Sequence, residues 1–211
     1  MIKTVVMTAV VGAALAAAAG AAPPVTLTLA ASTATVTYGS PVTLSGQLST
    51  QKANQAIGLA ATECGSTKQT KAATVKTIAN GAYSSPVTPT IGTAYQATYK
   101  NVKSASVSIA VRPLLELAKT SAGHYTAKAT AGQALTGKFV LFQRYKKLRK
   151  RWVQVKRLPL GAAVPGATKP AMVSSVSFTS TLPRGARVRM AITAKQAGPC
   201  YVAATSKSLR A

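Results

Sequence analysis

Residues 41–49 read PVTLSGQLS, and this stretch decides the fold class. In an extended chain Val42 and Leu44 fall on one face, whereas Thr43 and Ser45 fall on the other. Alternation with a period of two is typical of a strand that buries one face and leaves the other in water. The stretch therefore predicts a β-strand rather than a helix.

The same alternation recurs from Pro24 onward and is broken by turn residues at short intervals, which is the signature of a sandwich or barrel. Asn80-Gly81 predicts a hairpin turn, because both residues tolerate positive φ. The chain is therefore predicted to be all-β, with a break near Arg112-Pro113, where proline prevents the ladder from continuing. The predicted strands are 25–32, 33–39, 41–49, 56–64, 71–78, 82–90, 94–100 and 105–113, then two across 116–131, and 138–147, 151–160, 173–183, 186–195 and 200–210.

Residues 1–22 have the three parts of a secretory signal peptide. MIK is a short basic start, VVMTAVVGAALAAAA is an apolar run, and GAAPP supplies a small-residue cleavage site. The alternative is an N-terminal membrane anchor, because residues 5–22 approach the length that spans a bilayer. We expect cleavage and a secreted protein that is either released or retained at the cell envelope by non-covalent contacts.

Several stretches carry a resemblance to known modules. The first half contains YGSPVTLSG, NGAYSSPVTPTIGTAYQA and SVSIAVRP, and it resembles the bacterial immunoglobulin-like modules of secreted actinobacterial proteins. The second contains GKFVLFQR, RWVQVKRL, SFTSTLPRGARVRMAI and QAGPCYVAATS, and it resembles the module that often follows. The resemblance implies two tandem immunoglobulin-like β-sandwich domains, 23–112 and 113–211. Such modules serve as spacers, adhesins and binding domains, so the fold alone does not give the function.

Residue types that catalyse most reactions are scarce. Glu63 and Glu116 are the only acids, and His124 is the only histidine. Glycoside hydrolysis uses two carboxyl groups at one bond, and a serine triad needs a histidine oriented by an acid. Calcium and zinc sites need more ligands than these residues offer. The composition predicts a protein that is not an enzyme and that uses no cofactor and no metal.

Cys64 and Cys200 are the only cysteines, one in each half. An even number in an exported protein favours a disulfide, although two isolated thiols or a bond to another chain are alternatives. If each module alternates strand direction in the immunoglobulin manner, Cys64 ends a strand at the lower edge of the first module. Cys200 then begins the last strand at the upper edge of the second, across the linker. We therefore predict a disulfide that fixes the two sandwiches relative to each other.

Positive charge is concentrated in the second half. Residues 23–112 contain seven lysines and arginines against one acid, whereas residues 113–211 contain 18 against one acid, a net charge of +17. Residues 144–157, RYKKLRKRWVQVKR, contain eight of these and predict a hairpin with a turn near residues 148 and 149. Residues 140, 142, 152 and 155 (Val, Phe, Trp and Val) are predicted to pack inward.

The basic side chains have almost no acids to pair with, so they stay in water or bind a polyanion. A solvated hairpin is one interpretation, since positive charge discourages strand pairing at edges. The second is binding to an anionic polymer or surface such as wall polymer, acidic glycan or lipid headgroups. The third is nucleic acid, because Tyr145 and Trp152 could stack on bases. The predicted polyanion-binding residues are Arg144, Lys146, Lys147, Arg149, Lys150, Arg151, Lys156, Arg157, Arg187 and Arg189.

The expected function is therefore that of a secreted, non-catalytic binding or structural module that adheres to anionic cell-envelope or extracellular polymers through its basic second domain. A nucleic-acid-binding protein is the alternative from another class. A secreted adhesin or inhibitor with a protein partner is the remaining alternative.

Overall fold

The computed structural model describes residues 23–211, so the predicted signal peptide at 1–22 lies outside the described residues. Strands dominate, beside the four-residue helix α1 (Ala194–Ala197) and short 3-10 turns at Ala79–Gly81 and Lys147–Arg149. Within 23–211, no helix is both long enough and apolar enough to cross a membrane. The strands of the first half are β1 (Ala30–Ala31), β2 (Thr35–Thr37), β3 (Val42–Gln47), β4 (Ala56–Glu63), β5 (Gln69–Lys76), β6 (Ala82–Val87), β7 (Thr93–Tyr99), β8 (Val102–Lys103) and β9 (Val107–Arg112). Those of the second half are β10 (Leu114–Ser121), β11 (His124–Ala131), β12 (Phe139–Lys146), β13 (Arg151–Pro159), β14 (Val164–Pro165), β15 (Met172–Thr179), β16 (Arg187–Ile192), β17 (Ala204–Thr205) and β18 (Leu209–Arg210).

The strands of the first half form two sheets. One has the order β1-β3-β6, and the other has the order β2-β9-β7-β4-β5 with β8 beside β7. Neighbouring strands are antiparallel, except that β2 runs parallel to β9. The chain thus changes sheet between β3 and β4 and again between β5 and β6, which is the arrangement of an immunoglobulin-like sandwich.

The second half repeats the plan. Its sheets have the orders β10-β11-β15-β14 and β13-β12-β16-β17, with β18 also paired to β16. When the strands are lettered along the chain, these are the ABED and C′CFG sheets of the immunoglobulin type. The predicted all-β fold with two such sandwiches is confirmed. The positions at which independent domains begin and end stay a prediction.

The quoted stretch forms β3, and its faces are as predicted. Val42 and Leu44 are buried, whereas Thr43 and Ser45 are exposed. The same alternation gives β4, β7, β11 and β12 one buried face each. Burying these faces removes apolar surface from water, which is the main favourable contribution to folding.

An aromatic cluster joins the two sheets of the second half. The ring of Phe142 in β12 lies 5.2 Å from that of Tyr125 in β11 and 4.9 Å from that of Phe178 in β15. Tyr125 and Phe178 are themselves 5.5 Å apart. Since β12 belongs to one sheet and β11 and β15 belong to the other, this cluster lies at the centre of the sandwich.

The prediction of a hairpin at Asn80-Gly81 is wrong in part. The turn is present, and both residues have positive φ, 65° and 73°. However, β5 pairs with β4, and β6 pairs with β3 in the other sheet. The dipeptide therefore reverses the chain between sheets, because a turn sequence fixes the local conformation and not the partner of the next strand. Gly81 is also required sterically, since a Cβ there would lie 2.3 Å from the carbonyl oxygen of Leu48.

The two outermost predicted strands are shorter than expected. Of residues 25–32, only Ala30 and Ala31 form a strand, and Leu27 makes an isolated bridge to Leu48. The strand predicted at 200–210 is reduced to β17 and β18. The backbone before β17 pairs with the first half instead of with β16.

Candidate functional site

The basic stretch forms the hairpin of β12 and β13, closed by the turn Lys147–Arg149 and by Lys150 in a left-handed conformation. Val140 and Phe142 are fully buried, as predicted. β13 is the edge strand of its sheet. The charged end of the hairpin is therefore open to solvent, while its other end is anchored in the core.

The prediction that Trp152 and Val155 pack inward is wrong. Val155 is 37% exposed. Trp152 is half-buried and lies opposite Tyr145, on the outer face of the sheet. The two strands change register at a β-bulge, where Phe142 lies opposite Lys156 but Gln143 lies opposite Gln154. Val155 is the extra residue of the bulge. A bulge leaves that residue outside the ladder and interrupts the alternation of faces, which a count along the sequence does not include.

Five residues on the outer side of β12, β13 and β16 form what we call the arginine–tryptophan face: Gln143, Tyr145, Trp152, Arg187 and Arg189. Tyr145 lies opposite Trp152, and Gln143 lies opposite Arg189. The rings of Tyr145 and Trp152 are 5.4 Å apart. Arg187 Cζ is 5.5 Å from the centre of the Tyr145 ring and 5.9 Å from that of Trp152. The bulged register thus groups two cations with two aromatic rings.

Arg189 is held from two sides. Its Cζ lies 4.2 Å from the centre of the Trp152 ring, and its Nε donates a hydrogen bond to Gln143 Oε1 at 2.9 Å. Partial burial lowers the pKa of Arg189 from its ordinary value. A guanidinium nevertheless stays protonated in proteins, so the charge remains. The ring and the amide together fix a cation in one orientation.

The closed end of the hairpin carries five exposed cations, which we call the basic tip: Lys146, Lys147, Arg149, Lys150 and Arg151. A cleft of about 700 Å³ lies beside it. Seven basic side chains line this cleft: Arg144, Lys146, Lys147, Arg149, Arg184, Arg187 and Arg210. Arg210 was not among the predicted residues. It joins the site because β18 pairs with β16 and places Arg210 opposite Arg187.

Two predicted residues lie away from the tip. The ammonium group of Lys156 donates a hydrogen bond to the backbone carbonyl of Thr179 in the facing sheet. Arg157 Cζ lies 3.8 Å from the centre of the Phe139 ring. Both residues sit at the far end of β13 and already have partners within the chain. The structure therefore does not bring them together with the tip.

The acids and the histidine lie apart. Glu63 ends β4 in the first half, and Glu116 lies in β10 of the second. His124 is exposed at the start of β11, with Nδ1 3.0 Å from the carbonyl oxygen of Ala122. Within the part of the chain that the structure describes, no group of three His, Cys, Asp or Glu residues could hold a metal ion.

The predicted disulfide between Cys64 and Cys200 is confirmed. The Cα atoms are 5.4 Å apart, across 136 residues of sequence. Gly92 links the two cysteines, because its carbonyl accepts from Cys64 N at 2.8 Å and its N–H donates to the Cys200 carbonyl at 3.0 Å. A Cβ at Gly92 would lie 3.0 Å from that same carbonyl oxygen, so the junction requires close backbone approach.

Residues after Cys200 extend this junction. Val202 N donates to the carbonyl of Val111 at 3.0 Å, and the buried Tyr201 hydroxyl donates to the carbonyl of Thr90 at 3.2 Å. Burial raises the pKa of Tyr201 to about 12. A tyrosine hydroxyl is protonated at neutral pH even without this shift, so it can donate this hydrogen bond. The two halves are therefore joined by backbone and side-chain hydrogen bonds as well as by the disulfide. Sequence reasoning missed Tyr201, whose position beside a cysteine was the only available signal.

A second cleft, of about 620 Å³, lies where the two halves meet. Thr37 and Arg112 line it from the first half, and Gln143 and Thr205 line it from the second. Gln143 also belongs to the arginine–tryptophan face. The face and the junction cleft therefore form one continuous surface.

No protein-family model matches the chain. No curated protein matches it either. Among solved structures, the chain is similar to the crystal structure of bovine butyrophilin, at 12% sequence identity and a TM-score of 0.32, and the match covers 90% of this chain and 100% of that one. A likeness of this degree says nothing about function, which is argued from the geometry of the site.

Proposed function

We propose that the protein is a secreted, non-catalytic binding or structural component that adheres to anionic polymers of the cell envelope or the extracellular space. The observation that carries this proposal is the concentration of cations around one corner of the second half, where the basic tip borders the cleft lined by seven basic side chains. Glu116 is the only acid in that half, so the charges have almost no internal partners. Uncompensated positive charge attracts polyanions and speeds their association.

The disulfide supports an extracellular location, because such bonds persist in oxidising compartments. The signal-peptide pattern of residues 1–22 predicts the same location. Outside the cell the polyanions are wall polymers, acidic polysaccharides and lipid headgroups. In this proposal the first half is a spacer or a second recognition surface, held at a fixed position by the junction.

Replacing the five residues of the basic tip by serine is expected to weaken binding to isolated cell-envelope material about tenfold or more at low salt, and to flatten the dependence of affinity on salt. The physical reason is that a protein with fewer cations displaces fewer counterions from the polymer when it binds. The measurement is an affinity series for the purified protein over a range of salt concentrations. DNA of equal charge density is the competitor polymer.

The matched control removes five exposed cations from the first half: Lys52, Lys68, Lys71, Lys76 and Lys103, each replaced by serine. This control variant has the same net charge as the tip variant and should retain most of the affinity for envelope material. Equal losses of affinity in both variants would show that binding depends on the overall net charge and not on the tip. Unchanged binding in the tip variant would make the hairpin a solvated element. Tighter binding to DNA than to envelope material would favour the nucleic-acid alternative, and binding that survives high salt would indicate a protein partner.

A further inference from the structure

We propose that the arginine–tryptophan face is a binding site for acidic polysaccharide, in which Arg189 recognises a carboxylate or sulfate group. This inference rests on the proposed function and names its ligand class and the residue that reads it. It places the specific contact on the face of the sheet, whereas the basic tip supplies general electrostatic attraction.

Arg189 is held in one orientation by its neighbours. Among the described residues, its hydrogen bond to Gln143 uses Nε alone, and its Cζ lies over the Trp152 ring, 4.2 Å from the ring centre. The two terminal amino groups of the guanidinium remain available to a ligand. They match the two oxygens of a carboxylate or of a sulfate ester in a bidentate contact. Because the ring and the amide already restrict the side chain, less conformational freedom is lost on binding.

A second cation continues the site. Arg187 lies two residues before Arg189 on the same face of β16, about 7 Å away along the strand. Its Nη2 donates to Ser208 Oγ at 3.3 Å, and its guanidinium borders the rings of Tyr145 and Trp152. The two arginines present two positive charges along one strand face. That suits a polymer with repeated acid groups better than a single small anion.

The surroundings favour sugar rings over nucleobases. From Gln143 the face continues into the junction cleft, where Thr37 and Thr205 are among the lining residues. Threonine hydroxyls can hydrogen-bond to the hydroxyls of a polysaccharide. The Trp152 ring is occupied by Arg189, and the Tyr145 ring is inclined to it by 59°. The two aromatic rings therefore do not offer parallel, open faces on which successive bases could stack.

The first test compares Arg189→Lys with Arg149→Lys, so that charge is conserved in both variants. The probes are polygalacturonate, which carries carboxylates, dextran sulfate, which carries sulfate esters, and neutral dextran. We expect Arg189→Lys to weaken binding to at least one acidic probe roughly tenfold, because a lysine makes no bidentate contact. Arg149→Lys at the tip should change affinity less than twofold, and neutral dextran should not bind. The probe with the larger loss identifies the acid group.

The second test leaves Arg189 unchanged and gives its guanidinium a competing carboxylate within the protein. Gln143→Glu puts a carboxylate at the position that now accepts from Nε, so it competes with the ligand for the guanidinium. Its control is Gln69→Glu, an equal change of charge at an exposed site in β5 of the first half. We expect several-fold weaker binding for Gln143→Glu, little change for Gln69→Glu, and unchanged thermal melting for both.

The outcomes separate this inference from the proposed function. If no anionic polymer binds the unaltered protein, both are wrong. If acidic polysaccharides bind but Arg189→Lys and Arg149→Lys have equal effects, adhesion is real and the assignment of Arg189 is wrong. If single-stranded DNA of matched charge binds more tightly than both polysaccharides and is the probe lost with Arg189→Lys, the face reads nucleic acid and the polysaccharide assignment is overturned.

Discussion

Replacing Cys64 and Cys200 together by serine is expected to lower the free energy of unfolding by about 3 to 5 kcal/mol. The bond closes a loop of 136 residues, and the entropy removed from the unfolded chain grows with loop length. The bond also keeps both cysteines beside Gly92. Loss of the disulfide therefore loosens the hydrogen bonds that Gly92 makes to Cys64 and Cys200. The measurement is denaturant unfolding of the double variant and of the unaltered protein under non-reducing conditions.

Alkylation without reductant provides the control for this experiment. The unaltered protein should carry no label, and each single cysteine variant should carry one. The expectation would be contradicted if the free energy of unfolding of the double variant lay within about 1 kcal/mol of that of the unaltered protein. The disulfide would then contribute less than is typical of such bonds. Two labelled thiols in the unaltered protein would contradict the bond itself.

Phe142→Ala is expected to cost about 3 to 5 kcal/mol of stability. The side chain is fully buried between the rings of Tyr125 and Phe178, and the cavity left behind would lie at the centre of the second sandwich. The chain has only three phenylalanines, so little aromatic surface remains to close the gap. Thermal or denaturant unfolding measures the loss.

The matched control is Phe139→Ala, three residues earlier in the same strand. Phe139 is half-buried on the other face of β12, where its ring contacts Arg157. Its replacement should cost about 1 kcal/mol, the typical effect of a point substitution. Equal losses for the two variants would show that the aromatic cluster does not hold the sandwich together.

The fold was predictable because alternation of side chains is a local property. The faces of β3 follow from four residues, and the same period gives β4, β7, β11 and β12 their buried faces. What the pattern does not contain is the partner of each strand. Asn80-Gly81 shows this, since the turn was correctly predicted while the strands on either side of it belong to different sheets.

The candidate site was predictable in composition and not in geometry. The sequence identified Arg187 and Arg189 as candidate binding residues within the predicted strand 186–195, but their neighbours depend on the register between β12 and β13, which a bulge changes at Val155. Gln143 therefore had no visible role until the ladder placed it beside Arg189. The disulfide was easier to predict, because two cysteines in an alternating topology leave few pairings.

The bond between Cys64 and Cys200 also has a mechanical consequence. A protein chain under tension lengthens as its strands separate. Fully extended, the segment from Cys64 to Cys200, a sequence separation of 136, would span roughly 450 Å. Because the disulfide joins the two ends of that segment, tension on the flanking chain passes through the sulfur–sulfur bond and does not extend the segment. Most of the second sandwich lies inside this loop, together with β5 to β9 of the first, so tension on the flanking chain cannot extend these strands until the covalent bond is broken.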